Sequence, residues 1–93
     1  MLNNLFQIVK DRKMNPVVGS YTNQLLEDGI QRIAQKTGEE AVELIIAAMN
    51  QGRQRVIEES ADLLYHLLVL LVKLDIDLED VEAELERRHR GSS

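Results

Sequence analysis

Apolar positions recur at helical spacing along almost the whole chain. Leu2, Leu5, Phe6 and Val9 form a first stripe, followed by Lys10, Arg12 and Lys13 and then by Asn15-Pro16. Proline lacks an N–H and its ring clashes with the preceding turn, so the first helix should stop there. Ser20 or Thr22 can cap a short second helix that runs through Leu25 and Leu26 to Gly29. Ile30, Ile33, Ala34, Ala41, Leu44, Ile45 and Ala48 share one stripe of a long amphipathic helix ending near Gly52, a residue type favoured just past helix ends. A second long helix is predicted from Arg53 to about Leu74. Its latter half, Leu63 to Val72, is apolar almost all round and demands neighbours on every side. Asp77, with Asp80 three residues on, heads a last helix through Leu78, Val81 and Leu85 to about His89. The cations Arg87, Arg88 and Arg90 suit the negative end of its dipole. The pattern supports only an all-α fold: a bundle of four to five helices in one domain, residues 1–90, followed by a disordered tail at 91–93.

Length sharpens this picture. A 93-residue chain is one domain, and a chain of that size buries only about 60% of the surface its unfolded form exposes. Together with the all-round apolar segment, this predicts a core completed by homodimerisation. The formal charge is −5, with two tyrosines, one phenylalanine and no tryptophan. That balance argues against binding a nucleic-acid polymer, which wants a basic surface and aromatic faces, but not against a small nucleotide carried with a metal. Zero cysteine excludes a disulfide framework and thiolate chemistry. No basic-plus-apolar leader opens the chain, so the expected compartment is the cytoplasm. The run Leu63 to Val72, broken by Tyr65 and His66, is too short to span a bilayer, which needs about 20 apolar residues, and no membrane partner is expected.

The candidate chemistry lies in two acidic pairs, Glu40 with Glu43 and Glu59 with Asp62, each spaced i, i+3. That spacing sets both carboxylates of a pair on one helix face, where they repel unless a cation lies between them. Mg²⁺ takes oxygen ligands and keeps positions free for water and substrate phosphates, and facing acidic pairs in a bundle can build such a site. Acidic pairs on amphipathic helices are also common as solvated faces, and spacing alone leaves both readings open. Both pairs nevertheless border apolar stripes. Glu39 and Glu40, adjacent in sequence, point about 100° apart on a helix, so only one can share a face with Glu43, and i, i+3 spacing selects Glu40. Gly38, inside a helix, asks for a close approach by substrate or another helix. Asp75, Asp77, Glu79 and Glu86 imitate a calcium loop, but Asp80 stands where its turn requires glycine. His66 reads as a satisfied core or interface histidine more readily than as a ligand.

The strings Ser20-Tyr21-Thr22, Lys36-Thr37-Gly38-Glu39-Glu40-Ala41-Val42-Glu43 and Glu58-Glu59-Ser60-Ala61-Asp62-Leu63-Leu64-Tyr65-His66-Leu67 resemble the phosphoribosyl-ATP pyrophosphatases of histidine biosynthesis. More broadly, Glu40-x-x-Glu43 followed by Glu59-x-x-Asp62 is similar to the metal motif of the MazG-like all-α nucleoside-triphosphate pyrophosphohydrolases. The resemblance implies a helical homodimer that hydrolyses 1-(5-phosphoribosyl)-ATP to 1-(5-phosphoribosyl)-AMP and pyrophosphate with Mg²⁺. It implies Glu40, Glu43, Glu59 and Asp62 as metal ligands and Glu39 as an extra acid that binds metal or orients water; as the free carboxylate, Glu39 is also the candidate to remove the water's proton. Lys36, Lys10, Arg12 and Lys13 are candidate phosphate partners, and Ser20, Tyr21 and Thr22 candidate substrate contacts; Gln24 stands where the family often has a basic residue. Phosphoribosyl-AMP cyclohydrolase, the next enzyme, is the implied transient partner. The competing expectations are a house-cleaning pyrophosphohydrolase of the same superfamily and a non-catalytic helical dimerisation module.

Overall fold

The computed structural model describes residues 1–92. It contains five helices: α1 (Leu2–Met14), α2 (Tyr21–Asp28), α3 (Ile30–Asn50), α4 (Gly52–Lys73) and α5 (Leu78–Ser92). Among the described residues there is no strand. Each break has a local cause. Ser20, rather than Thr22, caps α2: its hydroxyl oxygen accepts the backbone N–H of Asn23 at 3.2 Å. Gly29 ends α2 and begins α3 at φ 96°, ψ 179°, a backbone conformation essentially closed to side-chain-bearing residues. Gly52 turns α3 into α4 at φ 85°. The backbone of α5 runs past His89, so the expected tail continues the helix through Ser92, and residue 93 lies outside the described residues.

The end of α4 is built differently. Ile76 N–H bonds the Leu71 carbonyl at 2.9 Å and Asp75 N–H the Val72 carbonyl at 3.1 Å, a Schellman pair. Such ends usually place glycine in the left-handed position, but here it is Asp75, at φ 59°. Lys13 of α1 steadies it, donating to the Asp75 carboxylate at 2.6 Å and the Val72 carbonyl at 3.2 Å. One lysine thus gives the Val72 carbonyl a second hydrogen bond and ties α1 to the α4–α5 turn.

The core gathers Phe6 and Val9 of α1, Leu25 and Leu26 of α2, Ile33 of α3, Leu68, Val69, Leu71 and Val72 of α4, and Leu78. α1 and α2 fold back over the latter half of α4. One chain therefore already covers much of the segment for which a second copy was expected. Of Leu63 to Val72, the apolar side chains still exposed are Leu64 and Leu67. Further exposed apolar side chains on the two long helices lie earlier, at Val42, Ile45, Ile46 and Met49 of α3 and Ile57 of α4. Among the described residues no helix is long and apolar enough to cross a membrane.

Candidate metal centre

α3 and α4 reverse direction about Gln51 and make the most extensive helix contact in the molecule. The buried positions of α3 are Ile33, Glu40 and Ala47, seven residues apart, so a glutamate occupies the middle of an otherwise apolar seam. On α4 the buried stripe opens with Glu59, followed seven residues later by His66. Glu40 is 7% exposed and Glu59 only 3%. Carboxylates so placed lose hydration, which is costly unless a counter-charge meets them.

Three carboxylates converge across this seam: one oxygen each from Glu40, Glu43 and Glu59 lies within 4.8 Å of the others. Glu40 Oε2 and Glu59 Oε2 are buried and accept no hydrogen bond among the described residues. Their other oxygens face cations one turn earlier. Lys36 Nζ stands 3.7 Å from Glu40 Oε1, and Arg55 Nη2 donates to Glu59 Oε1 at 2.6 Å. Burial, then crowding by Glu59 and the charge of Asp62, raise the Glu40 carboxyl above its ordinary range. Crowding against Glu59, reinforced by the charge of Glu40, raises Glu43 likewise. This is what a hard-cation site looks like to its own ligands: an all-oxygen donor set, mutual repulsion, and buried lone pairs with no donor. The residues fit a divalent cation.

Asp62 stands outside the convergent trio. It is exposed, though its charge reaches Glu40. Its backbone carbonyl is held: it accepts the Nδ1–H of buried His66 at 2.7 Å. Because a carbonyl can only accept, Nδ1 carries the hydrogen there, and Nε2 is hydrogen-bonded to the Tyr21 hydroxyl at 3.0 Å. Thr22 Oγ1 bonds the Tyr65 hydroxyl, and the Tyr21 and Tyr65 rings stack with centroids 6.2 Å apart. The segment Ser20-Tyr21-Thr22 and the pair Tyr65-His66 are thus one construction, joining α2 to α4 one turn beyond Asp62. Spacing could not reveal it, because the partners are 43 and 45 residues apart.

Glu39 is separated from Glu40 in the sense the helical angle predicts. Its side chain is exposed, accepting Gln35 Nε2 at 3.1 Å and lying 3.7 Å from Lys36. The Gln35 hydrogen bond and the nearby cations hold its carboxyl below the ordinary range, opposite to what unaided base work near neutral pH requires. Of the candidate phosphate partners, only Lys36 adjoins the acids. Lys13 bonds the Val72 carbonyl, thirteen residues along α4 from Glu59 and so about 20 Å away. Lys10 reaches Asp77 at 3.5 Å, and Arg12 lies 3.8 Å from Asp11. A Cβ built on Gly38 would meet nothing within 4 Å, so no contact within the chain accounts for that glycine. Arg55 is the residue that spacing missed. The available signal was that Arg55 precedes Glu59 by four, as Lys36 precedes Glu40.

The family model described as "Phosphoribosyl-ATP pyrophosphohydrolase" matches residues 2–89. The chain is 48% identical over 88 residues to the "Phosphoribosyl-ATP pyrophosphatase" of Clostridium botulinum, covering 95% of this chain and 80% of that one. It is 52% identical over 88 residues to the protein of the same name in Listeria welshimeri, covering 95% and 84%. It is also 51% identical over 90 residues to the "Histidine biosynthesis bifunctional protein HisIE" of Caldanaerobacter subterraneus, of which it spans 44% while 97% of this chain is matched. With the matched model covering all five helices up to His89, the chain belongs to the phosphoribosyl-ATP pyrophosphohydrolase family.

Proposed function

We propose that this chain hydrolyses the α–β phosphoanhydride of 1-(5-phosphoribosyl)-ATP, giving 1-(5-phosphoribosyl)-AMP and pyrophosphate in a Mg²⁺-dependent reaction. The observation that carries the metal dependence is the convergence of Glu40, Glu43 and Glu59 with two buried oxygens lacking donors. Glu40, Glu43 and Glu59 would hold the cation, with Asp62 completing the acidic set from the rim. Bound there, Mg²⁺ supplies charge neutralisation for the triphosphate and acidifies water. The chain supplies orientation: α3 and α4 fix the carboxylates, and the His66 bond fixes the backbone beneath Asp62. Glu39, at the exposed edge, accepts the proton of the attacking water as its oxygen bonds phosphorus and pyrophosphate leaves. Its lowered pKa makes it a weak base on its own. Lys36, beside both Glu39 and Glu40, is placed to meet a phosphate oxygen.

We also propose that the protein works as a homodimer in the cytoplasm. Val42, Ile45 and Met49 of α3, with Ile57, Leu64 and Leu67 of α4, are apolar and exposed. An uncovered apolar face of that kind is expected to close against a second copy. The bifunctional relative, named for histidine biosynthesis, makes phosphoribosyl-AMP cyclohydrolase the natural neighbour, met here as a transient partner. The deciding assay is pyrophosphate release from phosphoribosyl-ATP beside ATP and dUTP, with and without Mg²⁺. Release from phosphoribosyl-ATP alone and only with Mg²⁺ is expected. Equal turnover of all three would assign a house-cleaning pyrophosphohydrolase, and no release from any would assign a helical dimerisation module.

A further inference from the structure

Arg55 lies one turn before Glu59 on α4. Its Nη2 donates to Glu59 Oε1 and its Nη1 to Glu58 Oε1, both at 2.6 Å. The two acceptors differ: Glu58 is exposed, whereas Glu59 is 3% exposed and keeps a second buried oxygen without a donor. One half of the most deeply buried carboxylate is thus neutralised by the chain's own guanidinium, the other half has no donor, and the group lies against Glu40 and Glu43. A divalent cation entering the trio meets the guanidinium's charge at close range, where repulsion in a partly desolvated site is strong. The two cannot both be held closely by one carboxylate without a penalty.

The Arg55 side chain is 48% exposed, so it can leave Glu59 without opening the core. A guanidinium offers five donors in a planar fork that matches a phosphate as well as a carboxylate. Lys36 is not equivalent. At 3.7 Å from both Glu39 and Glu40 it makes no direct hydrogen bond to either, and as a point charge it lacks the fork.

We propose that Arg55 exchanges partners during the catalytic cycle. In the free protein it holds Glu59 as a built-in counter-ion, and when a divalent cation takes that carboxylate it turns to the substrate's phosphates. The proposal rests on the pyrophosphohydrolase reading and adds a phosphate-binding residue to it. It carries an unusual signature, because removing Arg55 should move two affinities in opposite directions.

The test uses the full chain and two probes, Mn²⁺ alone on the substrate-free protein and then inorganic pyrophosphate at saturating Mn²⁺, both by titration calorimetry. Arg55→Gln is expected to bind Mn²⁺ roughly 3- to 10-fold more tightly, a competing charge having gone, and pyrophosphate roughly 10- to 100-fold more weakly. Arg55→Lys keeps the charge and loses the fork, so Mn²⁺ affinity should stay near wild type while pyrophosphate binding falls by about 3- to 10-fold. This second variant carries the test if Arg55→Gln does not fold. Wild-type binding of both probes, with Arg55→Gln shifting the two affinities in the same direction or neither of them, overturns this proposal alone. Arg55→Lys leaving pyrophosphate binding unchanged does so too. A wild-type chain that takes up neither probe overturns the pyrophosphohydrolase reading and this proposal with it.

Discussion

The two ends of α4 solve opposite problems with the same helix. From His66 to Val72 its inward positions meet α1, α2 and Ile33 in a core whose polar exception, His66, is bonded at both ring nitrogens. Around Glu59, the inward positions meet Glu40 and Glu43 instead, and two buried oxygens have no donor. The first region is complete within the chain; the second is electrostatically unfinished. Two buried carboxylates, each with an oxygen that lacks a donor, beside a third at the surface detract from stability, a cost that a bound cation would offset.

That contrast can be broken by mutation, and the largest effect belongs to the unfinished region. Glu43→Gln removes a donor while preserving shape, and should lower turnover by at least about 10³-fold. Its metal-free melting temperature should equal or exceed that of wild type, because one of three repelling carboxylates has gone. Loss of folding without metal, together with retained turnover in whatever does fold, would make the acids structural. In the finished region the signs reverse: Leu68→Ala, at a position 2% exposed, should lose roughly 2–5 kcal/mol of stability in urea melts. Refolded protein should keep its metal affinity.

A smaller effect probes the α4–α5 turn. The Lys13 ammonium beside Asp75 holds its carboxyl below the ordinary aspartate range. A carboxyl with a lowered pKa in the folded state contributes stability above its unfolded pKa, and that contribution disappears as pH falls through the folded value. The loss should appear below about pH 4. Asp75→Asn should flatten that part of the pH–stability curve and leave the neutral-pH metal titration unchanged.

The finished and unfinished regions were not equally legible in the sequence. The helix ends could be read because their causes are local: Pro16, the Ser20 cap, Gly29 and Gly52 each act within a turn or two. The meeting of Glu40, Glu43 and Glu59 was legible because i, i+3 spacing groups acids on the faces of two amphipathic helices whose apolar stripes must meet. What spacing could not supply was pairing between distant segments. Tyr21 with His66 and Thr22 with Tyr65 are fixed by how α2 lies on α4, and Lys13 is drawn to the end of α4 rather than to the acids. The covering of the Leu63 to Val72 segment by α1 and α2 was hidden for the same reason. Arg55 differs, since it is four residues from Glu59. A half-exposed arginine on a helix ordinarily means a solvated ion pair, and only the burial of its partner distinguishes this one.

The claim that the α3–α4 carboxylates are a divalent-cation site, with Glu40 inside it and Glu39 at its edge, is tested most directly by Mn²⁺ titration of the substrate-free wild type, Glu40→Gln and Glu39→Gln. Wild type should bind saturably, Glu40→Gln should lose at least about 10-fold in affinity, and Glu39→Gln should change by less than about 3-fold. No saturable binding by wild type, or a larger loss in Glu39→Gln than in Glu40→Gln, would contradict it.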